Sequence, residues 1–352
     1  MKTIFYSFCL VFSLLCLSCS KDSDTAQINL TLCKQYPSVE LSELVKIKKI
    51  IPLHDDPSII IDGIQKIIPY HNEYYVSDSR VIAVYSCGGA PLFQIRRLGR
   101  GPQEYLEISD FCIADNKIFI LNGRSQINTY SLSGTFISKK KLPYSCDAIA
   151  SFNKQLILRC CDPSCNYRNL ITDSEFSSVH YFIQTTPQQT DCRRFFGSTV
   201  FFNCGTSIVF HEPANNNLYL YNNESTPKEY ELQFEHKSPF PEIWKRTPME
   251  NVMDLITTLQ KEGFSYGIPA FAGTPGNFVC TFWNHKEQNL CICKYDGSEA
   301  KSYLKLDIDG EEHFVSDMSF YFTSEEDLII LVQSMDDNDS DEKIIHASFP
   351  YE

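Results

Sequence analysis

The sequence predicts an all-β protein that is built from a repeated unit of about four strands. Of the 352 residues, 25 are Phe and 19 are Tyr, and this aromatic content favours strands over helices. A pattern of alternating strand residues, a tyrosine and a polar turn recurs at 81–89, 127–134, 218–224 and 291–297, and all but the third contain a glycine. The first interval between these tyrosines matches one propeller blade of about 40–50 residues, and the second matches two blades.

Strand segments outside these repeats bring the expected number of blades to six. Residues 155–160 are expected to pair with 169–173 in an irregular third blade. The last blade has only three strands before the chain ends, at 314–321, 327–333 and 342–348. Residues 44–53 form an isolated early strand, which we expect to supply the fourth, outer strand of that blade and to cover its open edge. The sequence therefore predicts a six-bladed β-propeller over residues 39–352.

One helix is expected within this all-β chain, between blades 4 and 5. Thr247 and Glu250 form a capping box, and Pro248 suits the first position of a helix. Apolar residues then recur at helical spacing, which predicts an inserted helix over about 247–262. We expect its apolar stripe to pack against the flank of the propeller.

The first 18 residues have the features of a secretory signal. Lys2 supplies a positive start, an apolar stretch too short to span a bilayer follows, and Cys19 comes directly after the expected cleavage site. A cysteine at the first mature position indicates a bacterial lipoprotein whose thiol is acylated. Residues 19–38 are then expected to form a lipidated tether between the membrane and the propeller.

Charge limits the classes of partner. The net charge of −13 leaves no basic stripe to neutralise phosphates, so no nucleic-acid partner is expected. The same charge opposes docking to anionic lipid. Membrane attachment is therefore expected to depend on the acyl chains on Cys19.

Cysteines are frequent, and three interpretations of them remain open. Cys9 and Cys16 leave with the signal and Cys19 is the lipid site, so twelve of the 15 cysteines remain. Buried apolar thiols on strands are one interpretation, and structural disulfides in an oxidising compartment are the second. A zinc site is the weakest, because the chain has neither paired C-x-x-C motifs nor an added histidine pair. No metal and no cofactor are expected.

A motif at 97–105, R-L-G-R-G-P-Q-E-Y, lies between the first two blades. Together with the lipoprotein start and Y-V-S-D at 75–78, it resembles the Bacteroidetes-type six-bladed β-propeller lipoproteins. Gln103 stands where that family usually has a glycine. The resemblance implies a periplasmic or outer-membrane lipoprotein with no assigned reaction. Residues 20–24, S-K-D-S-D, are similar to the acidic surface-export signal of such lipoproteins.

The motif has a structural and a functional interpretation. Two glycines and a proline within four residues make a stiff turn that would fix the geometry between two blades. Alternatively, Arg97 and Arg100 face the mouth of the ring and hold an anionic ligand. A phosphate-binding glycine loop is disfavoured, because no Lys-Ser/Thr pair and no helix start follow.

Residues 263–276 are rich in glycine, proline and aromatic residues, which predicts aromatic side chains on flexible loops. Tyr266 and Phe271 are the candidates for stacking on a ligand, although aromatic residues more often pack between blades. The eight histidines are scattered and match no catalytic motif, so no catalytic residue is assigned.

The expected function is therefore a non-catalytic binding or scaffold role at the outer membrane, on its periplasmic or cell-surface side. The ligand would be a glycan, a peptide or a partner protein that contacts a propeller face. The alternative is a lyase or hydrolase with its site in the central channel. Acidic or histidine side chains that converge from different inner strands would favour the enzyme, and an apolar or aromatic mouth would favour binding.

Replacing Cys19 tests the anchor. We expect Cys19→Ala to leave the protein uncleaved or soluble, because the thiol that is acylated is gone. Detergent partitioning and the mass of the N-terminal peptide measure this outcome. An alanine variant that is still processed and membrane-bound would contradict the lipoprotein assignment.

Overall fold

The fold is taken from a computed structural model of the chain. The structure describes residues 26–29, 33–54, 56–61, 63–184, 201–204, 206–211, 217–222, 227–233, 257–258, 261–263, 265–284, 289–322, 327–332 and 342–348. Three strands and one short helix precede the first blade, namely β1 (Ala26–Asn29), β2 (Lys34–Glu40), α1 (Leu41–Leu44) and β3 (Lys46–Pro52).

The first three blades are four-stranded antiparallel sheets whose strands follow one another along the chain. Blade 1 contains β4 (Lys66–Tyr70), β5 (Glu73–Ser77), β6 (Ile82–Ser86) and β7 (Pro91–Ile95). Blade 2 contains β8 (Ile108–Ala114), β9 (Lys117–Asn122), β10 (Gln126–Ser131) and β11 (Phe136–Lys141). Blade 3 contains β12 (Cys146–Phe152), β13 (Gln155–Cys160), β14 (Tyr167–Asp173) and β15 (Val179–Gln184).

The last three blades use strands from the N-terminal region as well. Blade 4 contains β16 (Phe201–Cys204), β17 (Ser207–His211), β18 (Asn217–Tyr221) and β19 (Lys228–Gln233). Blade 5 contains β20 (Ser265–Tyr266), β21 (Phe271–Thr274), β22 (Asn277–Asn284), β23 (Asn289–Tyr295), β24 (Ala300–Ile308) and β25 (Glu311–Phe314). After a 3-10 turn at Val315–Asp317, blade 6 contains β26 (Met318–Phe322), β27 (Asp327–Val332) and β28 (Lys343–Ser348).

The first strands of neighbouring blades contact one another around a central channel. β4 contacts β8, β8 contacts β12, β12 contacts β16, and β26 contacts β4. Apolar side chains of adjacent blades meet between the sheets, as Tyr75 of blade 1 does with Phe111 and Ile120 of blade 2. Each such side chain stabilises the fold by about 1.5–3 kcal/mol when it is fully buried. The prediction of a six-bladed all-β propeller is confirmed.

The tyrosine repeat marks the third strand of a blade. Tyr85 lies in β6, Tyr130 in β10, Tyr221 in β18 and Tyr295 in β23, each at or one residue before the last residue of its strand. In blade 1 the turn requires glycine. Gly89 has a φ of +85°, and a Cβ there would lie 1.8 Å from the carbonyl oxygen of Pro52.

The ring closes through the N-terminal strand, as the sequence predicts. β3 pairs antiparallel with β28 and becomes the fourth, outer strand of blade 6. Ile51 and Ile344 are register partners, and both are completely buried. Because β3 precedes the first blade and β28 ends the last one, this pairing joins the two ends of the propeller.

The expected tether over residues 19–38 is wrong for its second half. β1 pairs parallel with β19 of blade 4, and β2 pairs parallel with β24 of blade 5. The N-terminal chain thus adds an outermost strand to blades 4, 5 and 6 in turn. The reason is the exposed edge of each outer strand, whose unpaired backbone groups β1 and β2 satisfy. Ile28 and Val39 are buried by this pairing.

Residues 234–264 connect blades 4 and 5, and the expected inserted helix belongs to this connection. Most of the range 247–262 lies outside the described residues. Four of its residues are described, and all four are helical, namely Thr257, Thr258, Lys261 and Glu262. In the described part of the chain, we find no helix with the length and apolar character needed to cross a membrane.

Truncations test the role of the N-terminal strands. We expect deletion of residues 20–25 to leave the thermal unfolding temperature unchanged. Deletion of 20–40 removes β1 and β2 with two buried apolar side chains, and should lower the free energy of unfolding by about 3–6 kcal/mol. Deletion of 20–53 also removes β3 and should cause aggregation on size-exclusion chromatography. Equal unfolding temperatures for the first two truncations would contradict the pairing of β1 and β2.

Candidate functional site

The glycine-proline motif forms a latch between blades 1 and 2, which we call the Tyr105 latch. It lies in the connection from β7 to β8, and the side chain of Tyr105 is completely buried there. The Tyr105 hydroxyl lies 2.9 Å from the carbonyl oxygens of both Ile95 and Arg80. Burial raises the pKa of Tyr105 to about 12. The hydroxyl therefore stays protonated at neutral pH and can donate to a blade 1 carbonyl.

Glu104 explains the two glycines of the motif. Its carboxylate accepts a hydrogen bond of 2.7 Å from the Gly101 N–H, so it folds back into the turn. A Cβ on Gly99 would lie 2.0 Å from the same carboxylate oxygen. The glycines are thus required by the close approach of Glu104, which supports the structural interpretation of the motif.

The expectation that Arg97 faces the mouth of the ring is wrong, and the same expectation for Arg100 stays a prediction. The Arg97 guanidinium donates to the carbonyl oxygen of Gly134, in the turn between the two outer strands of blade 2. The carbonyl oxygen of Gly101 accepts from Lys139 of β11, the outermost strand of that blade. Both arginines are exposed. The turn at Gly101 contacts the outermost strand of blade 2 and not an inner strand at the channel.

Phe271 does not lie on a ligand-contacting loop, so this expectation is also wrong. It belongs to β21 and is completely buried, with its ring centroid 5.0 Å from that of Phe278 and 6.3 Å from that of Phe202. The inner strand of blade 5 is split into β20 and β21, and Pro269 in the gap gives the segment its loop-like sequence. In β20, the backbone of Tyr266 pairs with that of Trp283 in β22. The side chain of Tyr266 is not among those that the structure describes. Cys19 also lies outside the described residues.

A cavity of about 480 Å³ occupies one end of the central channel. It lies at the end of the channel where each connection between blades leads into the first, inner strand of the next blade. Every blade contributes to its wall, with Lys66, Asp110, Ala148, Phe201, Ala270 and Phe320 as one residue from each. A cavity of this volume falls in the range of small-ligand sites.

Lys66 and Asp110 form an ion pair in the wall of this cavity. Lys66 Nζ lies 2.8 Å from Asp110 Oδ1, and it also donates to the carbonyl oxygen of Ile149 at 3.2 Å. Asp110 Oδ2 accepts the Ile149 N–H at 2.7 Å, and Oδ1 accepts the Phe111 N–H at 2.8 Å. The pair therefore links blades 1, 2 and 3, and both carboxylate oxygens are engaged.

The rest of the described cavity wall is neutral. Apolar groups such as Leu290 and Met318 alternate with the hydroxyls of Ser77, Ser109 and Ser319. Among the described lining residues, Asp110 is the single carboxylate and no histidine is present. This wall can bind a neutral ligand that has both apolar faces and hydrogen-bonding groups.

Three tyrosines form an exposed aromatic patch near this end of blade 3, which we call the tyrosine patch. Tyr144 lies in the connection that leads into β12, whereas Tyr167 and Tyr181 lie on β14 and β15. The Tyr181 ring centroid is 6.1 Å from that of Tyr144 and 5.6 Å from that of Tyr167. Tyr167 and Tyr181 keep 40% and 39% of their surface exposed.

No sequence pattern indicated the ion pair or the tyrosine patch. Lys66 and Asp110 are isolated residues in different blades, and no local pattern links them. The tyrosines are spread over three segments, and the pairing of β14 with β15 brings only Tyr167 and Tyr181 together. One available signal was Tyr144 itself, which follows a proline in a connection between blades.

The described cysteines are thiols, and most of them are buried. This arrangement agrees with the interpretation as apolar thiols on strands. Two pairs are register partners on adjacent strands, Cys146 with Cys160 and Cys280 with Cys293. Within the described ranges, no group of three or more metal-ligating side chains is arranged to hold a metal ion.

Six sheets around a channel, an N-terminal closing strand and a latch motif define a six-bladed β-propeller of the Bacteroidetes type. The chain belongs to the family described as a domain of unknown function (DUF4934), whose model matches residues 25–346. The match covers the N-terminal strands as well as all six blades.

Two solved structures share this fold. A protein from Bacteroides fragilis NCTC 9343 that is described as exported has 15% sequence identity and a TM-score of 0.71, with 93% of this chain and 100% of that chain covered. A member of the duf4221 family from Bacteroides vulgatus ATCC 8482 has 10% identity and a TM-score of 0.52, with 87% and 97% covered. A search of curated proteins found no match.

The ion pair in the cavity wall can be tested by substitution. We expect Asp110→Asn to lower the free energy of unfolding by about 1–3 kcal/mol, because Lys66 and the Ile149 N–H lose their charged acceptor. Asp115→Asn, in the exposed turn at the other end of β8, is the matched control and should change it by less than about 0.5 kcal/mol. Denaturant unfolding measures both. Equal stabilities would show that the pair does not hold the three blades together.

Proposed function

We propose that this protein is an exported, lipid-anchored binding module that holds a neutral saccharide segment at the channel mouth. The cavity carries the proposal, because all six blades line it and its one described ion pair is engaged within the wall. A sugar ring has an apolar C–H face and a rim of hydroxyls. The apolar groups and serine hydroxyls of the cavity match these two features.

The tyrosine patch lies at the same end of the propeller as the cavity, by the outer strands of blade 3. Tyrosine rings bury a large apolar face at a small cost in side-chain entropy, and their hydroxyls can donate to or accept from sugar hydroxyls. Exposed rings at Tyr167 and Tyr181 can therefore contact sugars further along the same chain. The tyrosine patch takes the aromatic role that the sequence assigned to Tyr266 and Phe271.

Binding is favoured over catalysis in the channel. Hydrolysis or elimination requires at least two groups with opposed protonation roles in one pocket. Among the described lining residues, the one carboxylate already accepts hydrogen bonds from Lys66, Phe111 and Ile149. Both oxygens of this carboxylate are thus engaged within the wall.

The N-terminal sequence supports an outer-membrane location with a short anchor. Because β1 begins at Ala26, a lipid on Cys19 would lie within roughly 25 Å of blade 4. The outer wall of the propeller would then be held near the membrane, and the net charge of −13 would oppose closer contact with anionic lipid. The similarity to a protein described as exported is compatible with this location.

Binding to an array of immobilised neutral and acidic polysaccharides tests the proposal. We expect binding to a neutral polymer without turnover, and we expect Tyr181→Ala and Ser109→Trp to weaken it at least tenfold. The first variant removes an exposed ring, and the second fills the cavity. Tyr36→Ala is the control, because Tyr36 is a tyrosine of similar exposure, 37%, on β2 of blade 5.

Unfolding temperatures of the two site variants should stay within about 2 °C of the parent, so that weaker binding reports on the site. Binding that Tyr181→Ala and Ser109→Trp leave unchanged would contradict the proposed site. Release of sugar fragments that depends on Asp110 would favour the enzyme instead.

A further inference from the structure

Two cysteines that are far apart in the sequence meet at the outer wall of blade 5. Cys33 directly precedes β2, and its Sγ lies 3.8 Å from the Sγ of Cys293 on β23. Both thiols are in the reduced form in this structure. A disulfide requires a sulfur–sulfur distance of about 2.05 Å. Because β24 lies between β2 and β23, closing the gap needs a shift of the Cys33 backbone, which lies just before β2, as well as rotation of both side chains.

The contacts of β2 hold Cys33 in this position. Lys34, the next residue, pairs in register with Lys301 and forms an ion pair of 2.7 Å with Glu299. The ring of Tyr36 stacks on that of Tyr303, with centroids 5.7 Å apart. The approach of the two sulfurs thus follows from the pairing of β2 with β24.

We propose that Cys33 and Cys293 form a disulfide that fixes the N-terminal strands to blade 5. Cys33 is half-buried and open to an oxidant, whereas Cys293 is completely buried beneath it. This difference sets the order of the reaction. The exposed thiol reacts first, and the buried thiol completes the bond.

The oxidant belongs to the disulfide class, such as oxidised glutathione or the disulfide of a thiol oxidase. The Cys33 thiolate attacks one sulfur of that disulfide, forms a mixed disulfide and releases one thiol. Cys293 then attacks Cys33 Sγ and displaces the second thiol. The two cysteines lose two electrons and two protons in total, and the oxidant's disulfide is reduced to two thiols.

The surroundings make this bond a stable cross-link. A hydrogen bond to Cys293 and burial raise the pKa of the Cys33 thiol well above its usual range. A hydrogen bond to Cys280 and burial also raise the pKa of Cys293. A high thiol pKa leaves little thiolate at neutral pH, so the oxidation is slow. The same high pKa makes each thiol a poor leaving group, so the finished bond is also slow to reduce.

The disulfide would change how the N-terminal chain responds to force or heat. It would link residue 33 to the third strand of blade 5, across most of the propeller sequence. A cross-link that closes so long a loop restricts the unfolded chain strongly. It would also prevent β1 and β2 from peeling away from the outer wall while β3 stays in place.

Cys280 is the competing partner. It is the register partner of Cys293 on β22, and both of these side chains are buried. An oxidant reaches Cys33 more readily than it reaches Cys280, so we expect the bond to form with Cys33. A peptide map distinguishes the two pairings.

The full chain is purified with reductant, freed of it and incubated with oxidised glutathione, so the test does not depend on the exported location. We expect non-reducing mass spectrometry to find a peptide that joins Cys33 to Cys293 and lacks two hydrogens. The oxidised protein should unfold at least about 4 °C above its reduced form.

Cys33→Ser should abolish both the linked peptide and the difference in unfolding temperature, and Cys33→Ala repeats the test if serine disturbs the packing. Cys87→Ser is the matched control, because Cys87 is also half-buried but lies in a turn of blade 1. It should retain both signals. Full alkylation of Cys33 after oxidation, or a bond from Cys293 to Cys280, would overturn the proposal.

Discussion

A propeller has to join its last blade to its first, and in this chain the antiparallel pairing of β3 with β28 makes that join. Without it, blade 6 would end in an unpaired edge above a buried apolar face. The completely buried pair of Ile51 and Ile344 shows how fully this face is covered. The closing strand also reaches blade 1, where the backbone of Gly89 packs against Pro52. The other blades depend on this closure, because their inner strands contact one another in sequence around the ring.

The same edge constraint explains the course of the N-terminal chain. β1 and β2 cover the outer edges of blades 4 and 5 before β3 closes blade 6. One continuous segment thus lines the outer wall of half of the ring. If the proposed lipid is attached at Cys19, the membrane would hold the propeller through this wall and leave the channel end accessible.

Polar groups at the inner end of the blades serve mainly to hold the blades together. Lys66, Asp110 and the backbone of Ile149 connect three successive blades through hydrogen bonds of 2.7–3.2 Å. The Tyr105 latch connects blades 1 and 2 further out. Because these charged and polar groups are engaged with one another, the cavity presents an apolar and hydroxyl-rich wall, which supports binding of a neutral ligand.

The sequence by itself determined most strands of the blades, the six-blade repeat and the closing strand, because alternation, turn residues and spacing are local properties of the chain. The latch motif could also be located, since its glycines and proline restrict the backbone directly. Only the tertiary structure decided which side chains reach the channel. The Arg97 side chain contacts the turn between the two outer strands of blade 2, and Phe271 is buried. Lys66 and Asp110, from different blades, form an ion pair. Such contacts depend on how sheets pack and twist against one another, and the residues involved carry no shared pattern along the chain.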